Sequence, residues 1–179
     1  MKFERTIPKL LRSIAQKHPE TSAQLSHTKK GEITEVNYHD MFQYALDFGA
    51  ALLDLGVKRG DRIGLIADNR KEWEQADVGL LSIGAVDVPR GCDATEKDLS
   101  FILSFAECSV VIAENNTQVK KILNIKDSIP TLKTIIAFDA VDENEQQRAK
   151  EQNINFHVFG DLLKRGHEWR KLNIDAVEN

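Results

Sequence analysis

The sequence is short of several things, and each shortage removes a class of protein. It has two cysteines, Cys92 and Cys108, with neither CxxC spacing nor a histidine nearby in sequence. A disulfide scaffold or a structural zinc module needs more thiols in tighter groups, so neither organises this chain. No apolar run approaches the roughly 18 residues of a membrane span; stretches such as Val110-Val111-Ile112-Ala113 are short. Neither sign of charge dominates: 24 basic and 28 acidic residues leave a formal charge of −4. That balance argues against a nucleic-acid binder, which would carry a concentrated basic face. Residues 1–7 hold charges but no apolar core or cleavage site, so no signal peptide is read. A cytoplasmic location with both thiols reduced is therefore expected, and the sequon Asn115-Asn116-Thr117 carries no meaning. Three ligand motifs are missing: GxGxxG after a strand, GxxxxGK[ST], and the GxSxG elbow. The five histidines (His18, His27, His39, His157, His167) fall at no ligand spacing and read as surface or internally satisfied side chains.

What remains is an ordinary globular composition. The 179 residues are 41% hydrophobic and 29% charged, which excludes wholesale disorder. A chain of this length is one domain by prior and can bury a core without metal or disulfide. Cys108 sits among apolar residues and reads as a buried small hydrophobe.

Two periodicities alternate along it. Residues 6–16 form an amphipathic helix with Ile7, Leu10, Leu11 and Ile14 on one stripe and Pro8 in the first turn, closed by Pro19. Residues 23–26 and 33–36 make a hairpin around Lys29-Lys30-Gly31. A helix over 38–55 is opened by Asn37 and ended by Gly56, with Tyr38, Phe42, Ala45, Gly49 and Leu52 inward. Gly49 marks either a close contact with another element or a tolerated glycine.

Residues 62–138 then read β-α-β-α-β-α-β. The first strand, Ile63-Gly64-Leu65-Ile66-Ala67, is continuously apolar, as strands covered on both faces are. Asn69 with Glu72 suggests a capping box for a helix burying Trp73, Ala76, Leu80 and Leu81 and ending at Gly84. After a strand at 85–89, Thr95 with Asp98 caps a helix burying Leu99, Ile102, Leu103 and Ala106. A strand follows at 109–113, then a helix opened by Asn116 or Thr117, with Val119, Ile122 and Leu123 inside. Pro130 marks its end, before a strand at 132–138. Residues 139–153 fit a solvated loop or exposed helix, 156–159 one more strand, and 161–164 a short helix. The domain is placed at 1–165, and 166–179 reads as a polar tail or linker. The fold class is α/β: a doubly wound, mainly parallel sheet with helices on both faces, plus the N-terminal helix and hairpin.

Three polar segments lie where ligands tend to bind, beyond the carboxyl ends of parallel strands: Asp68-Asn69-Arg70, Arg90-Gly91-Cys92-Asp93 and Glu114-Asn115-Asn116. One reading is a cleft with Arg90 set for an anion. The other, which we favour, is helix capping by Asn69 and Asn116 with Arg90 in a salt bridge. Glu72 and Glu74 are no acid/base pair, since residues two apart on a helix diverge. Trp73 lies on the apolar stripe, so core packing is favoured over cofactor stacking.

Several of these segments together resemble a known family. Val57-Lys58-Arg59-Gly60-Asp61-Arg62-Ile63 is similar to the GV-x-x-GD-x-V turn of adenylate-forming enzymes, the acyl-CoA synthetase and ligase superfamily, and follows a helix opened by Asn37-Tyr38 where the family has a T/S-Y step. Asp68-Asn69-Arg70-Lys71-Glu72-Trp73 resembles xNRxEW, and Gly84-Ala85-Val86-Asp87-Val88-Pro89 resembles GAVxVP. With residues 95–103 these are most like the long-chain fatty-acid–CoA ligases, over about residues 3–159. The resemblance implies the first subdomain of the ligase fold and a parent that converts fatty acid, ATP and coenzyme A into acyl-CoA, AMP and pyrophosphate with Mg²⁺. It also implies a possible homodimer. The family's phosphate loop, [YF]TSGTTGxPKG, is absent here, as are its later motifs. No catalytic, cofactor-binding or metal-ligating residue is therefore assigned. The expectation is an N-terminal portion of such a ligase, inactive by itself. The alternatives are a naturally short, non-catalytic interaction or dimerisation domain, or an unrelated doubly wound nucleotide binder.

Overall fold

The computed structural model describes residues 6–27, 31–173 and 175–178. Helix α1 (Ile7–Lys17) and an antiparallel hairpin, β1 (Ser22–His27) and β2 (Ile33–Asn37), precede helix α2 (Tyr38–Asp54). Strand and helix then alternate: β3 (Arg62–Ile66), α3 (Lys71–Ser82), β4 (Val86–Arg90), α4 (Glu96–Phe105), β5 (Val110–Ala113), α5 (Asn116–Asn124), β6 (Thr134–Ala137), α6 (Glu143–Glu151), β7 (Asn155–Val158) and α7 (Phe159–Leu172), closed by the turn α8 (Asp175–Glu178). The expected hairpin turn at Lys29-Lys30 and the N-terminal residues 1–5 lie outside the described residues.

Strands β3 to β7 form one sheet in the order β4-β3-β5-β6-β7, with all four pairings parallel. β5 and β6 are buried at every position, because alternate side chains feed opposite faces. Val111, Ala113, Ile135 and Ala137 join Leu99 and Leu103 of α4, Val119 and Ile122 of α5 and Ala149 of α6 in one apolar layer. Val110, Ile112 and Ile136 join Leu52 of α2, Ala76 and Leu80 of α3 and Phe159 and Leu162 of α7 in the other. The chain steps from β3 to β4 through α3 on one face, then returns through α4 on the opposite face to β5 and continues outward. Its winding direction thus reverses between β3 and β5, and the loops after these two strands diverge.

Local chemistry explains most boundaries. The Asn37 side chain accepts a hydrogen bond from Asp40 N at 2.7 Å and opens α2, and Gly56, at φ +86°, turns the chain out of it. Thr95 and Asp98 form the expected capping box of α4. Gly49 is a close-contact site: a Cβ there would stand 3.0 Å from the Gly79 carbonyl oxygen, so α2 and α3 pack backbone to backbone.

Four expectations are corrected. First, α3 starts at Lys71 with Arg70 in the cap position and no side-chain cap; Asn69 and Glu72 do not make a capping box. Glu72 instead accepts from Arg70 Nε at 2.7 Å, an ion pair that replaces the box. Second, Asn115, not Asn116 or Thr117, caps α5, accepting from Thr117 N at 3.0 Å and Gln118 N at 3.3 Å. Third, Ile7 and Leu10 are exposed on α1, which buries Leu11 and Ala15. Fourth, residues 166–172 are no tail: they continue α7, which packs on α2 through Gly166. A Cβ at Gly166 would fall 1.7 Å from the Asp47 carbonyl oxygen. Polar residues of α7 are ion-paired: Arg170 Nη2 lies 2.9 Å from Asp47 Oδ1, and Arg165 Nε 2.6 Å from Asp54 Oδ2. Burial pushes the Asp47 carboxyl up despite the opposing pull of Arg170 and His167. Between 139 and 153 the helical alternative is observed, as α6, with Ala149 fully buried.

Candidate functional site

The three polar loops singled out in the sequence do converge at the carboxyl end of the sheet. Asp68 leaves β3, Cys92 follows β4, and Glu114 ends β5. The Asp68 backbone N–H donates to Glu114 Oε2 at 2.8 Å, and the Cys92 backbone N–H to Asp68 Oδ1 at 2.9 Å. Asn115 Nδ2 donates to Glu114 Oε1 at 3.2 Å. One ligand atom from each of Asp68, Cys92 and Glu114 lies within 4.8 Å of the other two. Burial, with the Glu114 and Asp68 carboxylates adding to it, pushes the Cys92 thiol up to about 11. At neutral pH it is therefore a protonated thiol, which excludes it as an unassisted nucleophile. Cys108, fully buried under α4, is likewise pushed up to about 11.

Arg70 is held on the same rim. It donates to Glu72 and, through Nη2, to Asp139 at 2.9 Å, with its guanidinium carbon 5.3 Å from the Phe138 ring centre. Burial works against its charge, yet the hydrogen bonds to Asp139 and Glu72 outweigh it and hold its pKa above the ordinary value. Asn116 pairs with Asp142, donating to Oδ2 at 2.8 Å and accepting from its backbone N–H at 3.0 Å.

Two clefts flank these groups. One, about 620 Å³, is bounded by Ala67, Asp68, Trp73, Pro89 and Arg90. Trp73 packs on the core, as expected, and also lines this cleft. Arg90 is exposed on its rim and makes no salt bridge among the described residues. The other cleft, about 820 Å³, lies between β1 and the start of α3 and includes Arg70, Glu74 and Asp139. Sequence reasoning named the loops but missed Asp139, and also Gln118 and Lys121 of α5, which both donate to the Cys92 carbonyl; the one available signal was that Asp139, too, sits just past a parallel strand.

The arrangement is a strand-end rim with a surplus of carboxylates. The AMP-binding enzyme family matches residues 11–170, which is most of the chain. The chain belongs to the AMP-binding enzyme family. Its relatives agree with that placement. It is 28% identical over 145 residues to fatty acyl-CoA synthetase A of Dictyostelium discoideum, covering 80% of this chain and 21% of that protein. It is 22% identical over 172 residues to a long-chain-fatty-acid–CoA ligase of Xenopus laevis, covering 96% and 22% respectively. The chain thus spans about a fifth of the length of these relatives. Among solved structures it is similar to the adenylation domain of a carboxylate reductase from Mycobacterium chelonae, with a TM-score of 0.80 and 19% identity over 93% of this chain and 30% of that one. It is also similar to the anthranilate CoA ligase AuaEII in complex with anthranoyl-AMP, with a TM-score of 0.76 and 19% identity over 92% and 29%. The sheet and its helices are therefore part of the adenylate-forming ligase fold, and an unrelated doubly wound domain is set aside. Within this AMP-binding family member, the turn at 57–63 delivers α2 into β3, and the segment 68–73 forms the rim just described. Among the described residues, no helix is long and apolar enough to cross a membrane.

Proposed function

We propose that this chain serves as the N-terminal α/β subdomain of an ATP-dependent long-chain-fatty-acid–CoA ligase, supporting one wall of its large domain. The observation that carries the reading is the parallel sheet of the adenylation fold in a chain whose relatives bear fatty acyl-CoA synthetase names. ATP, Mg²⁺ and coenzyme A are the cofactors of that reaction, and fatty acid is its substrate. The described residues do not fit a triphosphate. The rim presents Asp68, Glu114 and Asp139; Arg70 is neutralised by Glu72 and Asp139; the N-termini of α4 and α5 are capped by their own Thr95 and Asn115 side chains; and α3, which has no side-chain cap, carries Glu72 and Glu74 in its first turn. Anion binding at a helix N-terminus needs its N–H groups free. No catalytic step is derived through these residues. Their role is to hold a rigid sheet on which segments carrying phosphate-binding chemistry can be mounted.

The exposed, stacked Phe101 and Phe105 on α4 favour a second reading, a non-catalytic interaction or dimerisation domain. One experiment separates the two: the intact mass of the protein isolated from its source, with fatty-acid-dependent ATP–pyrophosphate exchange measured on the same sample. A protein several-fold heavier than 20.2 kDa that catalyses exchange supports the ligase. A native species of 20.2 kDa without exchange supports the interaction domain.

A further inference from the structure

Asp68 and Glu114 tie these loops together by accepting the Cys92 and Asp68 backbone N–H groups, a task that needs no thiol at position 92. In a doubly wound sheet the place where winding direction reverses leaves a crevice at the carboxyl ends of the strands, and ligands settle there. Asp68 and Glu114 come from the two strands that flank this reversal, and Cys92 from the strand beside them. Their donor atoms lie within 4.8 Å of one another. Around a tetrahedral ion with bonds of about 2.0–2.3 Å, donors stand roughly 3.5 Å apart, so modest side-chain rotations close this set.

A second observation comes from α5. Gln118 is 4% exposed, and its Nε2 reaches the Cys92 carbonyl at 3.4 Å. Its Oε1 is buried with no hydrogen-bond partner. A buried amide oxygen left unsatisfied costs about 1–3 kcal/mol, and such an atom calls for an explanation. Here it belongs to an amide whose Nε2 reaches the backbone carbonyl of the cluster's cysteine. Lys121 lies on the same helix and donates from Nζ to the Cys92 and Ala94 carbonyls at 2.9 Å each. Three anionic donors around a divalent ion leave one surplus negative charge, and this ammonium, held on the backbone of the Cys92 loop, has the sign that offsets it.

We propose that Asp68, Cys92 and Glu114 form a binding site for a borderline-soft divalent cation of the zinc class, with Gln118 Oε1 beside it as a neutral oxygen donor. The thiol selects against Mg²⁺ and Ca²⁺, which take oxygen donors, and in favour of Zn²⁺ or Co²⁺. Binding releases the Cys92 thiol proton to solvent and places the metal–sulfur bond in its stead. The adjoining cleft of about 620 Å³, which Asp68 also lines, leaves room for a water on the metal. The site is independent of the ligase reading, since it uses only residues of this chain.

The test uses the full 179-residue chain, freed of metal by chelator and titrated with Co²⁺ alone, then with Zn²⁺ in competition. Binding of one Co²⁺ per chain with a near-ultraviolet thiolate-to-cobalt charge-transfer band, displaced by Zn²⁺, is expected. Cys92→Ser removes the band, and Glu114→Gln weakens affinity by about 10–100-fold while the band persists at saturation. Circular dichroism of each variant checks folding, and Glu114→Gln keeps the test open if Cys92→Ser misfolds. No stoichiometric binding to the parent chain overturns the site. So does a band that survives in a folded Cys92→Ser variant, which would place the metal on Cys108.

Discussion

On one face of the sheet, α4, α5 and α6 each lay a single apolar stripe across the strands. On the other, α2 is buried nearly all round: Met41 and Ala45 face α1, Phe48 and Leu52 face the sheet, and Leu46 and Ala50 meet Val177. The first face is held by side chains in an ordinary two-layer contact. The second is a double layer of helices whose backbones approach through Gly49, Gly79 and Gly166. Stripes tolerate adjustment because side chains can shift. Backbone contacts do not, so the second face should be the more brittle one.

The largest effect expected is at Gly166. A side chain there meets the Asp47 carbonyl and the Ala51 amide of α2, neither of which can rotate away. Gly166→Leu should cost at least about 3 kcal/mol, read by urea denaturation, and should detach α7. A cost below about 1 kcal/mol would show that α7 is no part of the core.

On the stripe face, Leu103 is fully buried and seats over Gly64, where a Cβ would stand 2.6 Å from its Cδ2. Leu103→Ala should cost about 3 kcal/mol, again by denaturation. If it proves larger than the Gly166 substitution, the contrast between the faces fails.

Trp73 lies at the edge of the brittle face and lines the strand-end cleft. A fully buried Trp→Ala costs about 3–5 kcal/mol, so Trp73→Ala, partly exposed at the cleft, should cost about 2.

The smallest effect concerns protons. Burial, then the neighbouring Asp87 and Glu74 carboxylates, push Asp77 of α3 up to about 6 from 3.8. Between those values the folded protein keeps a proton that the unfolded chain has lost. Stability should therefore fall as pH rises from about 4 to about 6 and stay lower above it. Asp77→Asn should flatten that fall and raise Tm at neutral pH. An unchanged pH profile would show that Asp77 is not the group that keeps the proton.

The same contrast explains what the sequence discloses. Strands β3 and β5 are legible because continuous apolar runs mean burial on both faces, and α4 because Thr95 and Asp98 spell its cap. α2 shows only the stripe ending in Gly49 and Leu52, since further buried residues such as Met41, Leu46, Phe48 and Ala50 lie outside that stripe. α7 misleads because its polar residues, Arg165 and Arg170, pair with Asp54 and Asp47, which lie more than a hundred positions earlier. A local reading cannot see such partners, so contact polarity passes for solvation. The rim is partly legible for the same reason: Asp68, Cys92 and Glu114 each follow a strand, but their meeting depends on strand order, and Gln118 depends on helix placement. Glu72 shows the opposite error, a correct residue in an incorrect role, because Arg70 was a stronger partner than a helix N-terminus.

The central claim is that these residues form a scaffold of the ligase fold that lacks a cradle for a triphosphate. ATP–pyrophosphate exchange by the purified 179-residue chain, assayed with long-chain fatty acids and Mg²⁺, tests it directly. The account predicts no exchange above a heat-treated control; exchange that requires both fatty acid and this chain would contradict it.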